Sequence, residues 1–323
     1  MRRRAFVAAL TGGILGWPPA ALAQRAAKVP RIGYVSSNRR TANVDAFDQG
    51  LRDRGYVIGQ NVLVDYRFAD GQLDRVRPLV DEVLALGVDV VVAANPHVIR
   101  VGRQVTRAVP IVGVDLETDP VAAGWVKTLA RPGGNVTGVF LDMPELSGKL
   151  VQFLAEAVPH LQRVAVLWDK ELAPTQFDVT ARAARSTKLE LQPLPFHQPG
   201  EFPAVFDAAQ AQQAQAMVIL SSPAVFPNLG RLAGLARKHR LPAISAFSQF
   251  AAAGGLIGYG PNFEDLYRQV AGYVDRLFKG EKAADMPIQR PAVFALVINL
   301  KTARELRLTI PQSLSLRADE IIQ

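Results

Sequence analysis

Short runs of apolar residues recur along the chain, each followed by a longer stretch in which apolar positions return every three or four residues. The runs fall at 30–35, 61–66, 88–94, 110–115 and 135–140, then at 162–168, 189–194, 215–221, 242–245 and 254–259, with a last one near 292–298. Most are rich in Val, Ile and Leu with little alternation, as expected of strands buried on both faces. Between them, Val44, Phe47 and Leu51 share one helical face. So do Leu79, Val80, Val83 and Leu84, and again Leu150, Phe153, Leu154 and Val158. Strand alternating with helix predicts an α/β fold of parallel sheets joined by right-handed crossovers.

The pattern repeats weakly within the chain. Arg31-Ile32-Gly33-Tyr34-Val35 and Arg163-Val164-Ala165-Val166-Leu167 each begin a strand–helix series. Val88-Asp89-Val90-Val91-Val92-Ala93 parallels Ala216-Met217-Val218-Ile219-Leu220, and Val109-Pro110-Ile111-Val112 parallels Leu241-Pro242-Ala243-Ile244. Two similar lobes, each a small doubly wound sheet, follow more naturally than one sheet of ten or more strands.

The first residues change the picture of where the protein works. Arg2-Arg3-Arg4 leads a mostly apolar run from Ala5 to Leu22, and Ala21-Leu22-Ala23 has small residues where a signal peptidase reads. Residues 1–23 are expected to be a secretory signal peptide, with the mature chain beginning at Gln24. The run is short for a bilayer helix and contains Pro18-Pro19. Arg3-Arg4-Ala5-Phe6 also fits a weak twin-arginine pattern, so the export route is open between the two systems. The expected location is the periplasm. The formal net charge of +8 falls to about +5 once the three leader arginines are removed. The remaining Lys and Arg are scattered, which suits a solvated mixed surface and not nucleic-acid binding. With no cysteine and 49% apolar residues, stability must come from packed cores.

Enzyme signatures are absent. His97, His160, His197 and His239 are far apart, and no metal-ligand spacing, Gly-x-Ser-x-Gly elbow or Walker loop occurs. Arg131-Pro132-Gly133-Gly134-Asn135 lacks the lysine of a phosphate cradle and reads as a turn into a strand. No catalytic residue, metal or cofactor is expected. The informative residues are polar ones at the C-terminal ends of the strands, where an open α/β sheet gathers its ligands. In the first lobe these are Ser36 and Ser37, Asn95, and Thr118 and Asp119 within Glu117-Thr118-Asp119-Pro120. In the second they are Asp169, Ser221 and Ser222, and the segment Ser245-Ala246-Phe247-Ser248. Hydroxyls and amides at helix starts suit a carboxylate, and an aspartate facing them suits an ammonium, so the set resembles an amino-acid site. Each is also a good helix cap, worth about 1 kcal/mol, and Asp119 before Pro120 would cap a helix that begins there. Phe247 and Tyr259 are candidates for an aromatic wall, whereas Trp125, on the helix expected after Asp119, reads as core.

The chain resembles the substrate-binding proteins of ABC importers of the tryptophan/tyrosine-binding type. The resemblance rests on the C-terminal signature Ile298-Asn299-Leu300-Lys301-Thr302-Ala303, Leu308-Thr309-Ile310-Pro311 and Arg317-Ala318-Asp319-Glu320. It extends to Arg31-Ile32-Gly33-Tyr34 and to Leu129-Ala130-Arg131-Pro132-Gly133-Gly134-Asn135-Val136-Thr137-Gly138. Gly255-Leu256-Ile257-Gly258-Tyr259-Gly260-Pro261-Asn262 is a further block. It implies a type I-like periplasmic binding fold: two Rossmann-like lobes with three hinge crossings, 24–141 and 260–286 forming one and 142–259 and 287–323 the other. It implies a monomeric protein that binds a small amino-acid-like or carboxylate ligand by lobe closure and delivers it to a membrane permease. A ligand sensor docking on a membrane signalling receptor is the alternative, and an α/β enzyme the remote one. Several pocket motifs depart from the family: Ala94-Asn95-Pro96 stands where Gly-Thr-Pro is usual, Trp168-Asp169-Lys170 where Trp-Asn-Pro is, and Ser221-Ser222-Pro223 where an acid is often found. That leaves the ligand more open than the fold.

Overall fold

The structure is a computed structural model, and it describes residues 29–140 and 143–323. The expected signal segment, 1–23, lies outside the described residues. Strands β1 (Arg31–Ser36), β2 (Leu63–Phe68), β3 (Val90–Ala93), β4 (Ile111–Asp115) and β5 (Val136–Phe140) form a parallel sheet in the order β2-β1-β3-β4-β5. Its connections carry helices α1 (Ala42–Arg52), α2 (Val76–Ala85) and α3 (Pro96–Val105). The chain then builds α4 (Met143–Ala157), β6 (Arg163–Asp169), α5 (Pro174–Ser186), β7 (Glu190–Phe196), α6 (Phe202–Ala211), β8 (Ala216–Ile219), α7 (Leu229–Lys238), β9 (Ala243–Ser245), α8 (Gln249–Ala252) and β10 (Ile257–Pro261). After α9 (Phe263–Phe278) come β11 (Phe294–Asn299), α10 (Leu300–Glu305), α11 (Gln312–Ser315) and β12 (Glu320–Ile322). The second sheet runs β12-β11-β10-β9-β8-β6-β7 and is parallel except where β10 meets β11. The two α/β layers are those the periodicity predicts.

All eleven expected strands are present. The twelfth, β12, was not expected: it is three residues long and mostly exposed, so it carries no buried apolar run to detect. Edge strand β7 shows the exposed–buried alternation of a half-solvated strand, and its exposed Pro193 and Pro195 lie where no second neighbour needs their missing N–H. Strand β10 starts at Ile257 and not at 254, because Gly254 turns the chain at φ +97° just before it. The helix expected after Asp119 does not form. Residues 119–125 make turns, broken by Gly124 at φ +66°, and Trp125 packs in the core against Phe140, as its apolar setting suggested.

Helix α9 follows β10 of the second sheet yet packs on the first. Phe263, Leu266, Tyr267, Val270, Ala271 and Val274 are buried at helical spacing, and their helix lies along α1 and under β3, β4 and β5. Asn262 starts it, accepting from the backbone N–H groups of Glu264 and Asp265. Beyond α9 the chain runs beside β5, with Gln289 N–H donating to Gly138 and Gln289 C=O accepting from Phe140, before it enters β11. The apolar interior on the α1 side of the first sheet is continuous with that of the second. The opposite face of the first sheet, under α2 and α3, has its own core built on Val35, Val91, Ile99 and Ile111.

Candidate ligand-binding cleft

In each sheet the strand order reverses once: between β1 and β3 in the first, and between β6 and β8 in the second. Successive crossovers leave in opposite directions there, so the loops part and a crevice opens beyond the strand ends. The two crevices face one another. Between them lies a cavity of about 390 Å³, lined from the first lobe by Ser37, Asn38, Asp70 and His97 and from the second by Asp169, Leu172, His197 and Pro223, among others. Adjoining it is an inner recess of about 40 Å³, lined by Asn95, Val114, Leu116 and Glu117 on one side and by Ser222, Phe226 and Phe247 on the other. Asn38 and Pro223 border both.

The first lobe contributes polar groups held by its own backbone. Asn95 caps α3 through Oδ1, which accepts from Val98 N–H at 3.2 Å, while its buried Nδ2 has no partner. The buried Ser37 Oγ is likewise unpartnered, and the neighbouring Ser36 Oγ accepts from Asn38 N–H at 3.1 Å. At the end of β4, Asp115 Oδ1 accepts from the N–H groups of Glu117 and Thr118, at 2.8 and 3.0 Å, which bends the chain and turns Glu117 inward. Burial pushes both carboxyls above the usual carboxylate range, and Asp115 adds repulsion that raises Glu117 further. The pair therefore titrates together and prefers to hold a proton. Burial lowers His97, so its ring favours the neutral form.

The second lobe answers with a braced wall. Asp169 Oδ1 accepts from Glu171 and Leu172 N–H, at 3.0 and 3.2 Å, and its Oδ2 accepts from the Ser222 hydroxyl at 2.7 Å. Gln176, buried inside α5, holds both backbone groups of Ser221: its Oε1 accepts from the N–H at 3.1 Å and its Nε2 donates to the C=O at 3.3 Å. That leaves the Ser221 hydroxyl free to reach across the cleft, where it donates to Glu117 Oε1 at 2.5 Å. Phe247 packs edge-on to Phe226 with centroids 5.2 Å apart, and both rings meet Phe263 at the start of α9.

Seven of the residues singled out from sequence line the two cavities or bond to those that do: Ser36, Ser37, Asn95, Asp169, Ser221, Ser222 and Phe247. Three are elsewhere. Asp119 is exposed and Oδ1 accepts from Val121 and Ala122 N–H, so it closes a turn. With Thr118 it borders a separate hollow of about 130 Å³ beside Arg290. Tyr259 lies outside both cavities, edge-on to Phe153 at 4.9 Å and stacked on Phe294 at 6.0 Å. Sequence reasoning passed over Glu117, Gln176, His97 and Phe226. Glu117 stood in the same strand-end motif as Asp119, and the familiar Asp-Pro pair drew attention away from it. Gln176 gave no signal, since a glutamine in an amphipathic helix reads as surface.

The model of the family described as ABC transporter substrate binding protein matches residues 28–322. The chain belongs to that family. Members of the ABC transporter substrate-binding family are solute binders that work with ABC permeases, not enzymes. The chain is similar to a tyrosine-binding protein of Clostridioides difficile, 20% identical over 264 residues that cover 80% of this chain and 75% of the relative. Its fold matches that of a conserved domain protein of Vibrio cholerae, with TM-score 0.83, 23% identity, and coverage of 91% of this chain and 100% of the other. It also matches an ABC domain from Streptococcus pneumoniae in complex with L-Trp, with TM-score 0.83, 22% identity and coverage of 91% and 99%. Substrate-binding proteins of this family are typically extracellular or periplasmic, and no described helix here is long and apolar enough to cross a membrane.

Proposed function

We propose that this chain is the periplasmic solute-binding component of an ABC importer. It takes a small amino-acid-like solute between its lobes, closes on it and presents the closed form to the permease. The observation that carries the reading is the cavity of about 390 Å³ walled by strand ends from both sheets, at both points of order reversal. That volume is within the usual range for small-molecule sites, about 300–1,000 Å³. The names of the relatives, one tyrosine-binding and one holding L-Trp, support an amino acid as the solute class. In this reading one lobe is 24–141 with 260–286 and the other 142–259 with 287–323, so three hinge segments carry the closing motion.

A receptor that must release its cargo needs moderate affinity, on the order of micromolar, or about 8 kcal/mol. A thermal-shift screen of amino acids, amides, aromatic acids and sugars, followed by small-angle scattering with each hit, tests the reading. A binder that also shrinks the radius of gyration is the expected result. Tight binding without any change in shape would remove the closing mechanism, and no binder in any class would remove the solute-binding role.

A further inference from the structure

The inner recess is walled from both lobes, with one acid between the walls. Glu117 stands at the end of β4 beside Val114 and Leu116 of the first lobe, and Ser222, Phe226 and Phe247 of the second close over it. Its carboxyl oxygens are used on both sides: Oε1 accepts from the Ser221 hydroxyl at 2.5 Å and Oε2 from Leu116 N–H at 3.3 Å. Ser221 thus ties the second lobe to the first through a side chain that can carry charge. Both halves of the tie are fixed from behind. Asp115 holds the N–H groups of Glu117 and Thr118, so the acid cannot swing away without undoing the bend at the strand end. Gln176 holds the N–H and C=O of Ser221, and the next hydroxyl, that of Ser222, is engaged with Asp169. The contact is therefore a meeting of two braced loops and not of two flexible side chains at a rim, where polar pairs count for little.

A charge on Glu117 is poorly served there. The groups that face it are Asp115 on its own strand, Tyr267 from α9 and Ser221 from the second lobe, and the other residues lining the recess bear no charge of either sign. Tyr267, pushed up to about 12 by burial, stays neutral. Burial is the largest influence on Glu117 and repulsion from Asp115 the next; the Ser221 hydroxyl, which favours the carboxylate, is weaker than either. Closed lobes therefore favour the protonated acid, and parted lobes, which return the carboxyl to water, favour the carboxylate. His97, another titrating group of the cleft, feels Asp169 and Glu171 of the second lobe, but burial lowers it, away from the range of Glu117.

We propose that Glu117 and Ser221 form a proton-operated latch between the lobes: protonation of Glu117 holds the cleft shut, and its ionisation releases it. The latch rests on the lobe movement of the solute-binding reading, not on which solute is carried. With Glu117 protonated it adds to closure by a solute; once Glu117 ionises, a solute must close the lobes over a buried charge, and its apparent affinity falls.

The test reads the distance between the lobes in the intact mature protein. The chain has no cysteine, so an introduced pair takes two dyes without interference. Gln72→Cys and Thr175→Cys place them at exposed positions on opposite rims of the cleft, next to Gly71 and shortly beyond Leu172. Energy transfer between the dyes is followed with no solute added from about pH 6 to about pH 9, with circular dichroism at both ends to show that the fold persists. The ratio of short-distance to long-distance molecules should fall at least about tenfold over that range. Glu117→Gln, which cannot ionise, should keep the short distance throughout. Ser221→Ala should lower the short-distance ratio at about pH 6 by about two- to tenfold, the effect of one hydrogen bond, and keep the fall with pH. A fall of equal size in a folded Glu117→Gln overturns the latch, as does a Ser221→Ala that closes as well as wild type. A distance that ignores pH in wild type, while a solute from the screen shortens it, overturns the latch and leaves the solute-binding reading standing. If neither pH nor a bound solute moves the dyes, the latch and the closing motion fall together.

Discussion

Glu117 and Asp119 lie two positions apart at the end of β4, and the chain gives them opposite tasks. Asp115 bends the strand end so that Glu117 turns into the cleft and Asp119 outward to close a turn. Sequence shows which residues stand at a strand end but not which way the bend throws them, and so Asp119 and Tyr259 were expected at a cleft whose cavities are lined by Glu117 and Phe226 and not by them. Asp119→Asn should leave solute affinity unchanged and move stability by less than about 1 kcal/mol, because Asn accepts the same turn N–H groups. A tenfold loss in calorimetry would return Asp119 to the binding site. Glu117 also makes a pH prediction. Facing it are Asp115 on its own strand, Ser221 across the cleft and Tyr267 from α9. A carboxyl raised by burial binds more protons folded than unfolded, so its contribution is full below the ordinary carboxylate range and is lost as pH rises through the raised value, about 8 for Glu117. The melting temperature of the empty protein should fall between about pH 5 and pH 8, and Glu117→Gln should flatten that fall. An equal slope in both proteins would show that other groups dominate.

Strands were legible because their apolar runs are dense: β3, β4 and β8 are buried at every position. What joins them was less so. The antiparallel step from β10 to β11 leaves no trace in periodicity, since a strand buried on both faces looks the same in either direction. The glycines record the geometry better. Gly138 in β5 adopts φ +133°, and a Cβ there would come within 2.1 Å of the Gly113 carbonyl oxygen in β4. A Cβ on Gly260 in β10 would come equally close, 2.1 Å, to the carbonyl oxygen of Ala246, the residue before Phe247. Gly260→Ala should therefore push the Phe247 loop aside. Overpacking of this kind costs about 1–3 kcal/mol. Melting curves should show a lower transition and calorimetry a weaker solute, together; a normal transition with normal affinity would mean that the loop yields without cost.

Across the whole molecule, the reading from sequence captured two doubly wound layers and the outline of a cleft, because a repeated strand–helix series can fold in few ways. Of the acids that line the two cavities it captured Asp169 alone; Asp70, Glu117 and Glu171 stand on loops brought together over long stretches of chain. Intact mass of periplasmic material should show a mature protein beginning near Gln24, and retention of residues 1–23 would contradict the signal segment. The return of α9 to the first sheet bears on the order of folding. The N-terminal lobe is threaded so that its last helix emerges only after β6 to β10 have been synthesised. Until then the face of α1 that α9 covers stays open, with Phe47 held only by Tyr34 of β1, and Gly50, shaped to lie flush against Ala271, has nothing to lie against. Domains usually fold as units, N-terminal first; this one is obliged to wait. Chains truncated before residue 263 should be cut readily by protease within 29–140, and chains carried past 278 should resist. The first half of the sequence is thus the half that stays pliable longest during synthesis.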